Sequence, residues 1–320
     1  MTPADLQPPH PVLVVGDANV DLVLRGDVVP RFGQVEQLLD GAELVLGGSA
    51  SIVAAGLARL GVPTWLAAVT GDDEFGRFTR SALATSGVNI DTVRVDPVIP
   101  TGISVILSAP DDRSILTLPG TIPQLTVEDV LAALEVSRAE WVHFASPFLM
   151  PGFTAGLPAL LVELKARGIR VSLDTNWDPS EQWAGLDAVL ANVDVLLPNR
   201  TELEAIAAVL AGDSLPASDE PAGTVIAATG ARAVVKDGAD GGWSLGADGV
   251  IVRAPGLRID VVDTTGAGDS FDSGYLAAVA YGVTAEEARL RWATVAGSLS
   301  TRAAGGTGAQ ATLDLLLEHA

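Results

Sequence analysis

A short run of small and acidic residues near the carboxyl end of the chain has the composition of a phosphate-binding turn. It covers Asp263–Asp269 and reads DTTGAGD, between a predicted apolar strand over Leu257–Val262 and a predicted helix over Ser270–Tyr281. Small residues let backbone N–H groups approach a ligand closely, and the first N–H groups of a helix lack partners within it. Together with the positive end of the helix dipole, these groups favour a phosphate or a developing phosphoryl charge.

Asp269 is the unusual member of this run, because a carboxylate beside a phosphate is unfavourable unless it accepts a proton there. We therefore predict that Asp269 is a general base and that the N–H groups of Gly266, Ala267 and Gly268 form an anion hole. The run is not a Walker A loop, since it lacks Gly-Lys-Ser/Thr. It also departs from the dinucleotide fingerprint, because Phe271 stands at the third glycine position.

Two further candidate binding segments lie near the amino end. Asn19 and Asp21 follow the first predicted strand and place an amide and a carboxylate on the same side of an extended chain, where both could bind hydroxyl groups. An ordinary Asp/Asn turn is the alternative. Gly47 and Gly48 precede a predicted helix over Ser51–Leu60, which indicates either close approach of the backbone to a ligand or a hinge into a packed helix.

Composition narrows the class of protein. A chain of 320 residues with 48% hydrophobic content can bury a large core, and no compositional break divides it, so we predict a single domain over 1–320. A net charge of −21 argues against nucleic acid and anionic membranes as partners. The absence of cysteine excludes disulfides, thiolate catalysis and structural zinc. Of the three histidines, only His143 could serve a Ser-His-Asp site, and its apolar surroundings favour a buried strand position.

The sequence shows no segment typical of membrane targeting or membrane insertion. The stretch Met1–Pro11 lacks the features of a signal peptide and is predicted to be a polar leader, and no uninterrupted apolar run reaches 18 residues. We expect a soluble, cytoplasmic protein.

Short apolar runs alternate with helical segments, which predicts a mostly parallel sheet covered on both faces, with ligands at the carboxyl ends of its strands. Two stretches, 19–46 and 95–120, break this alternation with extended, partly period-two segments. They predict a small second sheet, either a lid over the site or an edge extension. The predicted strands are Pro11–Val15, Thr64–Val69, Trp141–Ala145, Arg170–Leu173, Val193–Leu197 and Ala233–Val235; the other predicted helices are Phe75–Ser86, Val127–Leu134, Thr154–Ala166, Arg200–Leu210 and Ala285–Arg302.

Taken in order, the motifs resemble those of the ribokinase-like (PfkB) carbohydrate kinases over roughly residues 12–310. The resemblance implies an α/β protein with a ribokinase-like three-layer α/β/α fold, a mostly parallel central sheet and a small β-sheet lid. Besides the segments above, it rests on Gly71–Gly76 (GDDEFG), Thr101–Gly102, Asp174–Asn176 with Trp183, Asn199–Glu202 and Lys236–Gly241.

The resemblance also implies an activity. We expect a phosphotransferase with an alcohol group as acceptor, which phosphorylates a small sugar, sugar acid or polyol with ATP and Mg²⁺. A nucleoside kinase of the same family and a catalytically silent nucleotide-binding regulatory protein are the alternatives, and a dinucleotide-dependent oxidoreductase is a third, weakened by the missing third glycine.

Site residues follow from the matching motifs. The acceptor is expected at Asn19, Asp21, Gly47, Gly48, Ser49, Ile52 and Asn176, and the nucleotide at Asn199, Thr229, Lys236, Gly238, Gly241, Gly266 and Gly268. Mg²⁺ is expected to be held mainly by water and ATP oxygens, with Glu202 nearby. A monovalent cation such as K⁺ is expected at Asp263, Thr265, Ala303 and Gly305. Glu202 with Asn199 also fits a helix capping box.

Three positions depart from the family pattern. Ile52 stands where the family usually has an asparagine that reaches a sugar hydroxyl. Ser49 replaces the lysine of ribokinase, and Ser146–Phe148 replaces a segment with a glutamate, so both differences argue against ribose. Few Lys or Arg residues are available to bind the phosphate of an already phosphorylated sugar, which argues against such an acceptor. Arg113 is assigned a general role in the lid. The apolar residues Leu38, Leu39, Leu44, Val45 and Leu46 would either join two lids in a homodimer or cover the protomer's own site.

Overall fold

The fold is built on a nine-stranded sheet in the order β13-β12-β11-β10-β9-β8-β1-β4-β5. All neighbours pair in parallel except β11 with β12 and β12 with β13. The computed structural model describes residues 6–109, 113–212 and 214–320, so parts of the predicted leader (1–5) and lid (110–112) lie outside it. The strands are β1 Val12–Val15, β4 Thr64–Gly71, β5 Val93–Asp96, β8 Trp141–Ala145, β9 Arg170–Asp174, β10 Val195–Leu196, β11 Arg232–Lys236, β12 Gly242–Leu245 and β13 Ile251–Ala254.

Helices cover both faces of this sheet and give three layers. Alternate residues of β1 show the arrangement, because Val12 and Val14 join one apolar core and Leu13 and Val15 join the other. The first core contains residues of α1, α2, α8, α9 and α10, and the second contains residues of α3 to α7. The helices are α1 Ser49–Arg59, α2 Glu74–Thr85, α3 Val127–Ser137, α4 Pro151–Ala166, α5 Leu186–Leu190, α6 Arg200–Ala211, α7 Pro221–Ala228, α8 Ala267–Ala280, α9 Glu286–Ser300 and α10 Leu313–His319.

A second sheet of four strands has the order β3-β2-β6-β7. Its strands are β2 Asn19–Gly26, β3 Leu39–Gly47, β6 Gly102–Ser108 and β7 Arg113–Leu118, so both predicted stretches contribute to it. The α/β class, the mostly parallel sheet and the small second sheet are thus confirmed. The prediction placed residues 95 and 96 in the small sheet, and this is wrong, because they belong to β5 and pair with β4.

The predicted strand over Leu257–Val262 is also wrong. No strand forms there, and β13, which pairs with β12, is the last strand at this edge of the sheet. The carboxyl end of α9 holds the segment instead: Leu257 N donates to Ser298 Oγ at 3.0 Å, and Val262 N donates to Thr301 O at 2.8 Å. The apolar side chains of this segment therefore do not take part in a sheet.

His143 lies fully buried in β8, as predicted. Its Nδ1 is 2.9 Å from Ser172 Oγ, which is also fully buried, and burial lowers the pKa of His143 to about 4. Neither residue is placed to meet a substrate, which removes the Ser-His-Asp alternative. No helix in the described part of the chain is long and apolar enough to cross a membrane.

Candidate active site

The turn before α8 presents backbone donors at the carboxyl edge of the sheet. Gly266 caps the helix with a φ of 70°, a left-handed conformation that favours glycine. The Ala267 N–H donates to the Thr264 carbonyl at 3.2 Å, so the turn itself uses this group. Within the described residues, the N–H groups of Gly268 and Asp269 donate to no carbonyl. Of the predicted anion-hole donors, the Ala267 N–H is therefore used within the turn, whereas the Gly268 N–H is not, and Asp269 adds a further N–H without a carbonyl partner.

Asp269 lies in the first turn of α8 and faces the start of α1. The Ser49 hydroxyl donates to Asp269 Oδ1 at 2.5 Å, which joins the glycine pair near the amino end to the anion hole. Burial raises the pKa of Asp269 to about 7, against the hydrogen bond from Ser49 and the charge of Lys236. A carboxylate with a pKa near the pH of reaction is suited to accept a proton.

Asp17, which the sequence analysis did not single out as a site residue, sets the start of α1. Its carboxylate accepts from Ser49 N at 3.1 Å and from Ala50 N at 3.0 Å. These bonds satisfy two of the free N–H groups of the helix and fix the backbone that carries Ser49. The position of Asp17 almost directly after β1 could have indicated a site residue. The N–H groups that it binds, however, are more than thirty residues away in sequence.

Asn19 and Asp21 meet the glycine pair where β2 and β3 are hydrogen-bonded neighbours. Asn19 Nδ2 donates to Asp21 Oδ1 at 3.0 Å, and a Cβ placed on Gly47 would lie 2.2 Å from the same oxygen. Gly47 therefore leaves room that the Asp21 carboxylate occupies. Burial and the Asp17 carboxylate raise the pKa of Asp21 to about 6. The predicted acceptor residues Asn19, Asp21, Gly47, Gly48 and Ser49 thus form one neighbourhood.

Two other predicted acceptor residues are placed differently. Ile52 is 3% exposed and packs against the loop that follows α9, since a Cβ on Gly306 would lie 2.5 Å from its Cδ1. Its branched apolar side chain is therefore buried against this loop, and its contact with an acceptor stays a prediction. Asn176 accepts from the Ser146 N–H at 3.1 Å and the Ser146 hydroxyl at 2.8 Å, which ties the ends of β8 and β9 together.

A cavity of about 760 Å³ opens beside Gly268 and takes in the predicted nucleotide residues Lys236, Gly238 and Gly241. The segment misread as a strand supplies one wall of the cavity through Leu257, Ile259 and Val261. Its volume and mixed lining suit a nucleotide. Further lining residues that the sequence analysis missed are Ala239, Arg258, Asp260, Thr264, Phe271, Thr294, Gly297, Ser298 and Thr301.

Asn199, Glu202 and Thr229 do not line this cavity. Asn199 and Glu202 form the predicted capping box of α6, since Asn199 Oδ1 accepts from Glu202 N and Glu202 Oε2 accepts from Asn199 N, both at 2.9 Å. Thr229 ends α7 and donates its hydroxyl to the Ile226 carbonyl at 2.7 Å. Thr229 was assigned to the nucleotide site from its position in the sequence. In the structure it precedes β11, whereas the cavity lies at the other end of that strand, beside Lys236.

The predicted monovalent-cation residues come together in two facing loops. Asp263 Oδ1 accepts from Thr265 N and Oγ1 at 2.9 and 2.8 Å, and Asp263 Oδ2 accepts from Gly305 N at 3.0 Å. Arg25 of β2 lies 4.0 Å from Asp263 Oδ2, and Arg113 of β7 donates to Thr265 Oγ1 at 3.1 Å. Asp263 therefore shapes the loop of the anion hole and receives positive charge from the small sheet.

The arrangement can transfer a phosphoryl group. Backbone donors before α8, the Asp269 carboxyl with a pKa near neutrality, the Asn19–Asp21 pair on one side and a nucleotide-sized cavity on the other meet at the carboxyl ends of parallel strands. Among the described residues, the carboxylates of Asp174, Asp269 and Asp272 are grouped closely enough to hold a cation, and the Lys236 ammonium already contacts two of them.

Comparison with known proteins agrees with this geometry. The family described as pfkB family carbohydrate kinase matches residues 10–313, so the chain belongs to the pfkB carbohydrate kinases and is a phosphotransferase. Among curated relatives, an ATP-dependent ribose-1-phosphate kinase from Halopiger xanaduensis is 30% identical over 83% of both chains. A fructokinase from Klebsiella pneumoniae is also 30% identical, over 92% of this chain and 94% of its own.

Solved structures share the ribokinase fold. The Arabidopsis thaliana ribokinase complexed with ribose and ATP has a TM-score of 0.82 at 25% identity and covers 97% of this chain and 98% of its own. An E. coli putative ribokinase II in complex with ATP and Mg²⁺ has a TM-score of 0.82 at 22% identity, with the same coverage. A double mutant of Vibrio cholerae fructokinase bound to fructose, ADP and potassium has a TM-score of 0.79 at 23% identity and covers 98% and 99%.

Proposed function

We propose that this chain transfers the γ-phosphoryl group of ATP to a hydroxyl of a small sugar, sugar acid or polyol. The observation that carries the proposal is the 2.5 Å contact between Ser49 Oγ and Asp269 Oδ1, because it brings a hydroxyl to the position that an acceptor hydroxyl must reach. Family membership supports the phosphotransferase class, and the nucleotide-sized cavity beside Gly268 supports ATP as donor.

Asn19, Asp21 and the Gly47–Ser49 backbone bind and orient the acceptor. Asp269 accepts the proton of the reacting hydroxyl, whose oxygen attacks the γ-phosphorus of ATP as the bond from that phosphorus to the ADP oxygen breaks. The charge that develops on the phosphoryl oxygens is stabilised by the N–H groups of Gly268 and Asp269 and by the amino end of α8. The products are the phosphorylated acceptor and ADP, and the proton stays on Asp269 until solvent removes it.

Mg²⁺ and a monovalent cation belong to the same proposal. Mg²⁺ would neutralise charge on the ATP phosphates, held mainly through water, with Glu202 as an outer neighbour. K⁺ would be held between the two loops that contain Asp263, Thr265, Ala303 and Gly305. The Asp263–Gly305 hydrogen bond already joins these two loops. Asn199 and Thr229 would affect nucleotide binding only through the helix ends they stabilise.

The whole chain acts as a single kinase domain in this proposal, and its four-stranded sheet of β2, β3, β6 and β7 is the lid. Arg25 and Arg113 connect this sheet to the loop of the anion hole, so closure of the lid and assembly of the anion hole would occur together. Leu38 is 82% exposed and Leu39 and Leu44 are 39% and 38% exposed, which supports a homodimer through the lid. Leu46 is buried and would not take part. A cytoplasmic location, where ATP is abundant, completes the proposal.

An acceptor screen tests the proposed function. ADP formation would be measured with ATP, Mg²⁺ and K⁺ against pentoses, hexoses, ketoses, sugar acids, polyols and nucleosides. We expect turnover with at least one acceptor of the first five classes. Turnover with nucleosides alone would replace the proposal with a nucleoside kinase, and ATP binding without turnover on any acceptor would favour a nucleotide-binding regulatory protein.

A further inference from the structure

A buried cluster of charged side chains lies beneath the anion hole, and the proposed chemistry does not yet use it. Lys236 at the end of β11 donates through Nζ to Asp174 Oδ2 at 2.6 Å and to Asp272 Oδ2 at 3.1 Å. The Lys236 side chain is 12% exposed, and both carboxylates are completely buried. Buried ion pairs of this kind are expensive to form and are strongly perturbed when one partner is removed.

The cluster is directly under the turn that would hold the phosphoryl group. A Cβ placed on Gly268 would lie 3.3 Å from Lys236 Cδ and 3.6 Å from Nζ, so the lysine side chain lies directly against this turn. The carboxylate oxygens of Asp174, Asp269 and Asp272 lie within 4.8 Å of one another. Three carboxylates this close repel one another, and the Lys236 ammonium is placed where it offsets that repulsion.

We propose that Lys236 is a positioning residue whose ammonium serves as a fixed internal cation, which holds Asp174 and Asp272 beneath Gly268 and keeps Asp269 able to accept a proton. The inference rests on the proposed function, because it assigns Asp269 as the base. It also gives Lys236 a role other than that of the predicted nucleotide ligand, since two of the donors of its ammonium are directed at buried carboxylates.

The protonation states are consistent with this geometry. Burial opposes the charge on Lys236, but Asp174 and Asp272 outweigh it and raise the pKa of the lysine. Burial likewise opposes the charge on Asp174, yet Lys236 holds the pKa of that carboxyl below its usual range. Burial and the Asp174 carboxylate raise the pKa of Asp272 well above its usual value, against the charge of Lys236.

The groups that face Asp269 come from five segments. Ser49 from α1 and Lys236 from β11 lower its pKa, Asp174 from β9 and Asp17 after β1 raise it, and Asp272 interacts with it from the next turn of α8. Lys236 is the only cation among them, so its removal leaves the base facing carboxylates and the Ser49 hydroxyl.

Substitution of Lys236 by methionine tests the role, because methionine keeps much of the length of the side chain and removes its charge. We expect Lys236→Met to move the acid limb of the kcat profile to higher pH by about 1 to 3 units, the shift that one nearby opposite charge produces. At pH 7 kcat should fall by about tenfold or more and should recover at higher pH, while KM for ATP and acceptor changes less than about threefold. A lysine that only binds ATP would instead raise KM for ATP and leave the pH profile in place, and that result would overturn the inference.

The chain supplies a matched control and a compensating variant. Lys165 is the only other lysine, and its exposed ammonium contacts the Ala191 carbonyl, which is not part of the cluster, so Lys165→Met should match the wild type. The double variant Lys236→Met/Asp174→Asn removes a carboxylate that raises the pKa of Asp269, so its acid limb should return toward that of the wild type. An acid limb that stays with that of the single variant would contradict the charge balance proposed here.

A second measurement does not depend on turnover or on a folded Lys236→Met variant. With ¹⁵N-lysine labelling, only two side-chain ammonium signals are expected, and Lys165→Met assigns them. We expect the Lys236 Nζ shift to titrate with a midpoint near pH 7 and to lose that step in Asp269→Asn. A flat Lys236 signal across this range in the wild type would overturn the inference, whereas failure of the acceptor screen alone would count against the proposed function.

Discussion

The Ser49 hydroxyl donates a 2.5 Å hydrogen bond to the Asp269 carboxylate across 220 residues of sequence. Ser49 begins α1 directly after the glycine pair, and Asp269 lies in the first turn of α8. The bond therefore joins the segment that would orient an acceptor to the segment that would hold the phosphoryl group.

Loss of this bond should be visible in the pH profile. Because the hydrogen bond from Ser49 lowers the pKa of Asp269, Ser49→Ala should raise that pKa and move the acid limb to higher pH. Hydrogen bonds to charged groups contribute about 1.5 to 3 kcal/mol, so kcat/KM at pH 7 should fall by about tenfold or more. Ser81→Ala, at an exposed position in α2, is the matched control. A profile of Ser49→Ala that coincides with that of the control would show that the bond does not act on the base.

The kcat/KM of the wild-type enzyme should decrease as the pH falls. A base must be unprotonated to act, and burial raises the pKa of Asp269 to about 7. As the pH falls below that value, kcat/KM should decrease by about tenfold per pH unit. Steady-state assays between pH 5 and 9 would measure this limb. Activity that stays level down to pH 5 would mean that a group with an ordinary carboxyl pKa, or none, controls the step.

We expect a side chain at Gly266 to collide with a neighbouring loop, and a second glycine of the same φ separates this collision from the cost of the backbone conformation. It has a φ of +70°, and a Cβ would lie 2.5 Å from Gly306 Cα. Gly249 has nearly the same φ, +71°, with nothing within 4 Å of a Cβ. Both alanine variants should lose about 1 to 2 kcal/mol of unfolding free energy for the left-handed backbone.

Only Gly266→Ala should also lose most of its kcat, because relief of the collision displaces the anion hole. Thermal melts and steady-state kinetics on the two variants would separate these effects. Equal activity in both would show that the position of the turn before α8 is not critical.

Asp73 should stabilise the joint between the main sheet and β6. Its carboxylate caps α2 through Gly76 N at 2.7 Å and also accepts from Thr101 N at 2.8 Å and Thr101 Oγ1 at 2.7 Å. Asp73→Ala removes all three bonds, so we expect a loss of about 1 to 3 kcal/mol in unfolding free energy.

The effect of Asp73 should vanish in acid. Burial opposes its charge, but the bonds from Gly76 and Thr101 hold the pKa of Asp73 below its usual value in the folded state. Its stabilisation is therefore present above the pKa of an unfolded aspartate and is lost as the pH falls through the lower folded value. Denaturant titrations at pH 7 and in acid would test this, and a difference between wild type and variant that grows in acid would contradict it.

Much of the fold could be predicted because local pattern and tertiary position agree. Most helices and strands of the main sheet begin and end near their predicted residues, since buried parallel strands are continuous apolar runs. The hairpin of β12 and β13 was missed, although Asp248-Gly249 between them is a turn signal. Leu257–Val262 was misassigned because an apolar run predicts burial without saying whether a strand or a cavity wall provides it.

The site was predictable to the extent that its residues are close in sequence or lie in short motifs. The turn before α8 and the Asn19–Asp21 pair follow from such motifs. The cluster of Lys236, Asp174 and Asp272 does not, because its members are 62 and 36 residues apart and meet only when β9, β11 and α8 are assembled. Ile52 was assigned to the acceptor site from its position in the family motif. The structure places its apolar side chain against Gly306, where burial stabilises it, and its contact with an acceptor stays a prediction.

The role of Asp269 is the central claim, and Asp269→Asn tests it most directly. The variant keeps the size of the side chain and removes its ability to accept a proton. Single-turnover kinetics with the best acceptor from the screen, alongside calorimetric measurement of ATP binding, would separate chemistry from binding. We predict that ATP binds as in the wild type while the rate of phosphoryl transfer falls by about 10²-fold or more. A variant that binds ATP and still transfers the phosphoryl group at a rate close to that of the wild type would contradict the assignment of Asp269 as the base.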